Sequence, residues 1–148
     1  MEAFKSLKSG QPLGWGLLLL SLWAAGASAQ VVVIVNPKSP LSTLTQEQAA
    51  SVFLGKSSTL PGGGMAVPAD LPDVSSVREQ FYSKAAGKTA AQVKAAWSRL
   101  TFSGKAVPPK ELGNANEVKK FVAANVDAIG YIEKSAVDSS VKVVLEVN

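Results

Sequence analysis

The chain has 148 residues, with 15 Lys and Arg against 11 Asp and Glu for a formal net charge of +4, and it contains neither Cys nor His. This composition excludes disulfides, thiol chemistry, imidazole acid–base catalysis and the usual zinc ligands. The charge excess is mild and lacks the dense basic runs with interleaved aromatic residues that nucleic-acid binders carry, so no nucleic-acid partner is expected.

The first 29 residues have the pattern of a signal peptide. Lys5 and Lys8 precede the apolar run LGWGLLLLSLWAA, and the small residues ASA follow where a signal peptidase would cut. The apolar run is shorter than the roughly 20 residues that cross a bilayer, which disfavours a retained membrane anchor. We therefore expect cleavage after residue 29 and one exported domain over residues 30–148, located in the periplasm, with secretion as the less favoured alternative.

The remaining 119 residues (148 minus 29) begin with a strand pattern. Val31 to Val35 form a continuous β-branched run, which is typical of a strand buried on both faces of a sheet. Four helix starts follow, each with a capping residue three positions before Glu or Gln, and each leads into apolar residues spaced by three and four. These starts are Thr45 with Gln48, Ser76 with Glu79, Thr89 with Gln92, and Asn114 with Glu117.

Three further extended segments lie between and after the helices, at residues 65–69, 128–133 and 141–147. The resulting order of strand, helix, strand, three helices and two strands is typical of an α/β fold. Short connections favour a central sheet with about four helices on its faces. The length fits one domain with a sizeable core.

Three motifs resemble, in order, successive motifs of one protein family. They are LTQEQAASVFLGKSS, MAVPADLPDVSSVREQFY and AIGYI, and the family is the phosphate ABC transporter substrate-binding proteins, which have the type 2 periplasmic-binding fold. The segment from Trp97 to Asn114 resembles a compact, stand-alone branch of that family. Transporter binding proteins close two lobes around the ligand, whereas residues 30–148 supply about one lobe. The resemblance therefore implies a single lobe of this fold.

The resemblance places the family's phosphate-binding turn at Asp73 to Val77. Within this turn Ser75 matches the family's serine, whereas Val74 and Ser76 stand where the family has glycines. The arginine that precedes the turn in the family is replaced by Leu71. The match to the family's turn is therefore partial.

The same turn is a candidate anion site on physical grounds. A helix N-terminus presents free N–H groups and a partial positive charge, so Ser75, Ser76 and Val77 are expected to bind an anion. Arg78 would add positive charge. The alternative is that one serine only caps the helix and that Arg78 is solvated.

A weaker second candidate for an anion site is the cluster of Arg99, Thr101 and Ser103. Arginine can hold an oxyanion with two parallel hydrogen bonds, and the two hydroxyl groups could add further donors. The alternative is a helix exit whose charged side chains are simply exposed.

No catalytic site is expected. The serines of the turn have no histidine base in the sequence, and Asp70 and Asp73 are expected to be solvated loop carboxylates. Tyr82 and Tyr131 have no neighbour in the sequence that would activate them. We therefore predict a protein that is not an enzyme and that uses no cofactor and no metal.

The sequence leaves two functions open. The first is an exported binding module for phosphate or a related oxyanion, serving uptake through a transporter or envelope partner. The second is a non-transport envelope interaction or sensor-input domain that keeps the fold without binding a ligand. A dimer with both copies of Ser75 in one shared cleft would supply each copy with the lobe it lacks, which favours the first function.

Overall fold

A computed structural model describes residues 30–148, which form one five-stranded sheet and four α-helices. The elements in chain order are β1 (Val31–Val35), α1 (Gln46–Phe53), β2 (Val67–Asp70), α2 (Ser76–Ala86), α3 (Ala90–Phe102), β3 (Lys110–Glu111), α4 (Ala115–Ala124), β4 (Ala128–Glu133) and β5 (Lys142–Val147). The predicted signal peptide lies outside the described residues. Among the helices of residues 30–148, none is long and apolar enough to cross a membrane.

The sheet has the strand order β3-β2-β4-β1-β5. β2 runs parallel to β3 and β4, whereas β1 runs antiparallel to both β4 and β5. β2 and β4 therefore end on the same side of the sheet, with Asp70 and Glu133 as their last residues, and we call this side the carboxyl end of the sheet. Every residue of β1 is fully buried, which confirms the prediction of an interior strand.

Helices cover both faces of the sheet. Neighbouring residues of β4 point to opposite faces, so the contacts of Gly130 and Tyr131 show what covers each face. A β-carbon added to Gly130 would lie only 2.6 Å from Val118 of α4, so α4 packs directly on that face. On the other face, the ring of Tyr131 stacks on Phe81 of α2 with 4.2 Å between centroids and meets Phe53 of α1 edge-on at 5.5 Å. The predicted α/β class is confirmed.

The predicted helix starts are confirmed at α1, α3 and α4 and displaced by one residue at α2. The three confirmed caps are Thr45, Thr89 and Asn114. At α2 the cap is Ser75 rather than Ser76, and its Oγ accepts a hydrogen bond from the Arg78 N–H at 3.2 Å. Ser75 takes this place because its N–H donates to the Pro72 carbonyl at 2.9 Å, which closes the preceding turn.

The strand β3 is absent from the sequence-based prediction. Its two residues, Lys110 and Glu111, are charged and exposed, so they form no apolar pattern. They become a strand only because they pair with Ala69 and Asp70 of β2, which are about 40 residues earlier in the chain. Pairing at long range thus supplies the fifth strand.

Candidate functional site

The turn between β2 and α2 lies at the carboxyl end of the sheet. Its residues Ser75, Ser76 and Val77 line one cavity of about 270 Å³. Ser75 holds the turn in place as the helix cap, while Ser76 and Val77 are the first two residues of the helix. The structure therefore brings three of the four residues of the first predicted site to a common cavity.

The N-terminus of α4 faces the same cavity, which the sequence alone did not predict. Its cap Asn114 and its first residue Ala115 both line the cavity, together with Glu133 from the end of β4. The Asn114 side chain accepts a hydrogen bond from the Glu117 N–H at 3.0 Å, so the start of this helix is fixed. Because β2 and β4 are parallel neighbours, the elements next to their ends meet here.

The far end of α4 is held by Asn36, which follows β1. The Asn36 side-chain amide is buried and donates hydrogen bonds to the carbonyls of Val122 at 3.0 Å and Ala123 at 2.9 Å. These carbonyls lie in the last turn of the helix, where carbonyl groups lack partners within the helix. Both ends of α4 are therefore anchored, which fixes where its N-terminus points.

Three backbone N–H groups at this cavity make no hydrogen bond to any group of residues 30–148. They belong to Ser76 and Val77 at the start of α2 and to Ala115 at the start of α4. Free N–H groups are normal at helix starts, and they carry the positive end of the helix dipole. Two such ends at one cavity make a positive, donor-rich lining on which Glu133 is the single carboxylate.

Arg78, the fourth residue of the first predicted site, points elsewhere. Its side chain is buried, with Nε 3.3 Å from Asp70 and Nη1 3.0 Å from Asp73. It lines a different, larger cavity and is absent from the lining of the serine-turn cavity. Arg78 was predicted to add positive charge to the anion site, with a solvated side chain as the alternative. Its guanidinium instead lies among two carboxylates and the ring of Tyr82, which is 5.1 Å away, so the solvated alternative is wrong.

The Asp70 carboxylate is the centre of a buried polar cluster. It accepts hydrogen bonds from the Tyr82 hydroxyl at 2.6 Å, from the Leu71 N–H at 2.9 Å and from Arg78 at 3.3 Å. The Tyr131 hydroxyl donates to it as well. Asp70 is only 6% exposed, so the expectation of a solvated loop carboxylate is wrong for this residue. Asp73 agrees with that expectation, since 68% of its side chain is exposed.

Burial and charge set the protonation states in this cluster. Burial raises the pKa of the Tyr82 hydroxyl, and the negative charge of Asp70 raises it further. The pKa of Tyr131 is raised by the same two causes. For Arg78, burial lowers the pKa, but the attractions of Asp70, Tyr82, Tyr131 and Asp73 together outweigh it and the net direction is upward. Both tyrosines therefore stay neutral and donate hydrogen bonds to the Asp70 carboxylate.

The second predicted cluster is not assembled around one cavity. Thr101 lines the larger cavity, of about 490 Å³, whereas Arg99 and Ser103 are absent from that lining. Ser103 is the cap at the end of α3, and its hydroxyl donates to the Leu100 carbonyl at 3.1 Å. Among residues 30–148, no group of three or more acidic side chains converges as a metal site.

Comparison with solved structures connects this geometry to a fold. The chain is similar to a Clostridium perfringens protein described as a phosphate ABC transporter substrate-binding protein with bound phosphate, with a TM-score of 0.64 and 26% identity over 78% of this chain and 44% of that chain. The chain has the fold of these binding proteins. A second neighbour, an ABC-type phosphate transport receptor of Vibrio cholerae, has a TM-score of 0.62 and 20% identity over 78% and 45% of the two chains.

The match confirms the predicted resemblance and the predicted fold class. This chain spans less than half the length of either binding protein. No protein-family model and no curated protein matches the sequence. Similarity to the phosphate-binding proteins is therefore carried by the arrangement of strands and helices more than by the residues themselves.

Proposed function

We propose that residues 30–148 form an exported, substrate-binding-protein-like module that binds phosphate or a related oxyanion at the serine turn. The observation that carries this proposal is the meeting of two helix N-termini at one cavity, with three N–H groups that have no hydrogen-bond partner within residues 30–148. The fold supports it, since a neighbour with 26% identity is described with bound phosphate. Cleavage after residue 29 would deliver the module to the periplasm.

The binding residues in this proposal are the amides of Ser76 and Val77, the hydroxyl of Ser76, and the amide of Ala115 at the start of α4. Backbone N–H groups at helix starts stabilise an anion through hydrogen bonds and through the helix dipole. Ser75 acts as a positioning residue, because its Oγ already accepts the Arg78 N–H. Arg78 makes no direct contact, since its guanidinium lies between Asp70 and Asp73.

Glu133 favours phosphate over sulfate at this cavity. A carboxylate beside a fully ionised sulfate is repulsive, whereas a phosphate that retains a proton can donate a hydrogen bond to the carboxylate. We therefore expect phosphate to raise the melting temperature of the purified protein and sulfate to leave it unchanged. At about 100 times the dissociation constant, bound phosphate stabilises a protein by about 2.7 kcal/mol, which corresponds to about 10 °C for a domain of this size.

The decisive variant is Ser76→Pro. Proline lacks the N–H group but is well tolerated at the first position of a helix, and Ser75 has the extended conformation that a following proline requires, with φ −72° and ψ 124°. The variant should fold normally and lose most of the phosphate-dependent shift. Ser76→Ala, which keeps the N–H group and removes only the hydroxyl, should lose less of that shift.

The matched control is Ala90→Pro, at the first position of α3. Its preceding residue Thr89 is also extended, with φ −81° and ψ 164°, but α3 does not line the serine-turn cavity. This variant should keep the full phosphate response. The proposal is contradicted if phosphate causes no shift in the unmodified protein, or if both proline variants keep the response equally.

A second candidate function is a non-transport interaction or sensor-input domain. The observation that favours it is the exposure of large apolar side chains, with Val74 in the serine turn 94% exposed and Phe102 at the end of α3 96% exposed. Such side chains are common at partner-binding surfaces. This function would be favoured over uptake if no anion changed the melting temperature and if Val74→Ser weakened binding to a partner.

A dimer is part of the first proposal, because one lobe cannot enclose a ligand by itself. In this arrangement two copies face each other with both serine turns in a shared cleft. A Ser75→Cys variant should then form a disulfide-linked dimer under mild oxidation, since the chain has no other cysteine. If only monomers form under these conditions, the proposed dimer is excluded and the anion site is open to solvent in a single copy.

A further inference from the structure

The larger cavity lies beside α3 and shares only Leu71 with the lining of the serine-turn cavity, so its chemistry is independent of the proposed anion site. α3 supplies one wall through Lys94, Ser98 and Thr101, whose spacing of four and three places them on one face of the helix. Glu111 of β3 belongs to a second wall. The volume of about 490 Å³ is in the range of pockets for small organic molecules.

Two opposite charges in this lining lack an ion-pair partner. Neither Lys94 nor Glu111 makes an ion pair with another side chain of residues 30–148. The remaining charges of the lining belong to Arg78, Asp70 and Asp73, which pair with one another. The cavity therefore offers one unpaired cation on the helix and one unpaired anion on the strand.

The rest of the lining is mainly apolar. Trp97 lines the cavity and is 9% exposed, and its indole N–H donates to the Phe53 carbonyl at 2.9 Å, which fixes the ring. Phe102, Pro108 and Pro109 also line the cavity. The Phe102 ring is exposed to water. Contact with the apolar part of a ligand would bury this ring, which is favourable.

We propose that the larger cavity binds a small zwitterion with an apolar body, the chemistry of an α-amino acid with a large apolar side chain. The ligand carboxylate lies toward Lys94, with hydroxyl donors from Ser98 and Thr101. The ligand ammonium lies toward Glu111. The apolar side chain packs against Trp97 and Phe102. This site goes beyond the proposed oxyanion binding and does not depend on it.

Three related probes test the charge pattern by calorimetry on the purified full chain. They are L-phenylalanine, 3-phenylpropionate, which lacks the ammonium, and 2-phenylethylamine, which lacks the carboxylate. L-phenylalanine should bind most tightly, and each single-charge probe should bind about twofold to fivefold more weakly, as expected for one exposed ion pair. Saturating phosphate should leave these affinities unchanged, because the serine turn is a separate cavity.

Two variants assign each charge to its wall. Lys94→Met should weaken L-phenylalanine and 3-phenylpropionate and leave 2-phenylethylamine unaffected. Glu111→Gln should weaken L-phenylalanine and 2-phenylethylamine and leave 3-phenylpropionate unaffected. The control is Lys84→Met, since Lys84 is an exposed helical lysine outside the lining of this cavity. Both substituted positions are exposed, so the variants should fold.

Several outcomes would overturn the proposal. No saturable heat with any of the three probes would show that the cavity takes no ligand of this class. Tightest binding of 2-phenylethylamine would assign an organic cation instead of a zwitterion. Equal weakening by Lys94→Met and Lys84→Met would place the binding outside this cavity.

Discussion

Two polar regions lie within ten residues of each other in the chain and differ in how their hydrogen-bonding groups are satisfied. At Asp70, four donors from the protein itself surround one carboxylate. At the start of α2, the N–H groups of Ser76 and Val77 have no partner within residues 30–148. Polar groups that the fold satisfies stabilise the fold, whereas polar groups that it leaves open at a cavity are available to a ligand.

The sharpest test of this difference is Asp70→Ala compared with Asp73→Ala. Both carboxylates contact Arg78, but Asp70 is buried and Asp73 is exposed. Loss of Asp70 leaves the buried Nε of Arg78 and two buried tyrosine hydroxyls without their acceptor. We therefore expect it to lower the free energy of unfolding by about 3–5 kcal/mol. Loss of Asp73 should cost less than about 1 kcal/mol. Urea unfolding measures both, and similar costs would contradict the comparison.

The second largest effect on stability is expected from alkaline pH, which should weaken the buried cluster around Asp70. Burial and Asp70 raise the pKa values of Tyr82 and Tyr131 above their ordinary value of about 10, so the unfolded chain loses these protons at lower pH than the folded one. Their stabilising effect is therefore complete below pH 10 and is lost as the pH rises above it. The expected slope is about 1.4 kcal/mol per pH unit for each tyrosine.

This slope can be assigned because the chain has two tyrosines in all. Unfolding free energies measured across the alkaline range should show a smaller slope for Tyr82→Phe than for the unmodified protein, since one titrating group is gone. A slope that Tyr82→Phe leaves unchanged would show that the tyrosine does not titrate differently in the two states.

The smallest expected effect on stability is in the serine turn. Ser75→Ala removes the cap of α2 and should cost about 1 kcal/mol, whereas Ser76→Ala should change stability by less than about 0.5 kcal/mol. We expect the opposite order for the phosphate-dependent rise in melting temperature. Ser76→Ala should reduce this rise more than Ser75→Ala, because Ser76 contacts the anion and Ser75 only positions the start of α2. Chemical unfolding and melting temperature with phosphate separate the two roles.

Local signals predicted much of the fold. Capping patterns placed the starts of three helices at Thr45, Thr89 and Asn114, and the β-branched run placed β1 at Val31–Val35. β3 could not be predicted, since its pairing partners in β2 are far away in sequence. The carboxyl end of the sheet follows from the parallel pairing of β2 and β4, which no local pattern encodes.

For the candidate site too, the sequence predicted only the part that depends on local signals. Ser75, Ser76 and Val77 could be found from the start of one helix, because a helix N-terminus is a local feature. The contributions of α4 and Glu133 depend on which strands are neighbours. Arg78 was assigned to the anion site because it lies in the first turn of the same helix, and only the tertiary structure shows that its guanidinium pairs with Asp70 instead.

The position of β1 in the sheet has a consequence for the order in which the chain can fold. β1 pairs on one side with β4 and on the other with β5, and both of these strands lie about 100 residues later in the chain. Such distant pairing is slow to form. A chain released before β5 is complete would leave one side of the VVVIV segment unpaired, and an uncharged β-branched strand with an open edge promotes aggregation. Synthesis of β5 therefore decides whether this segment becomes an interior strand of the sheet or a point of association between chains.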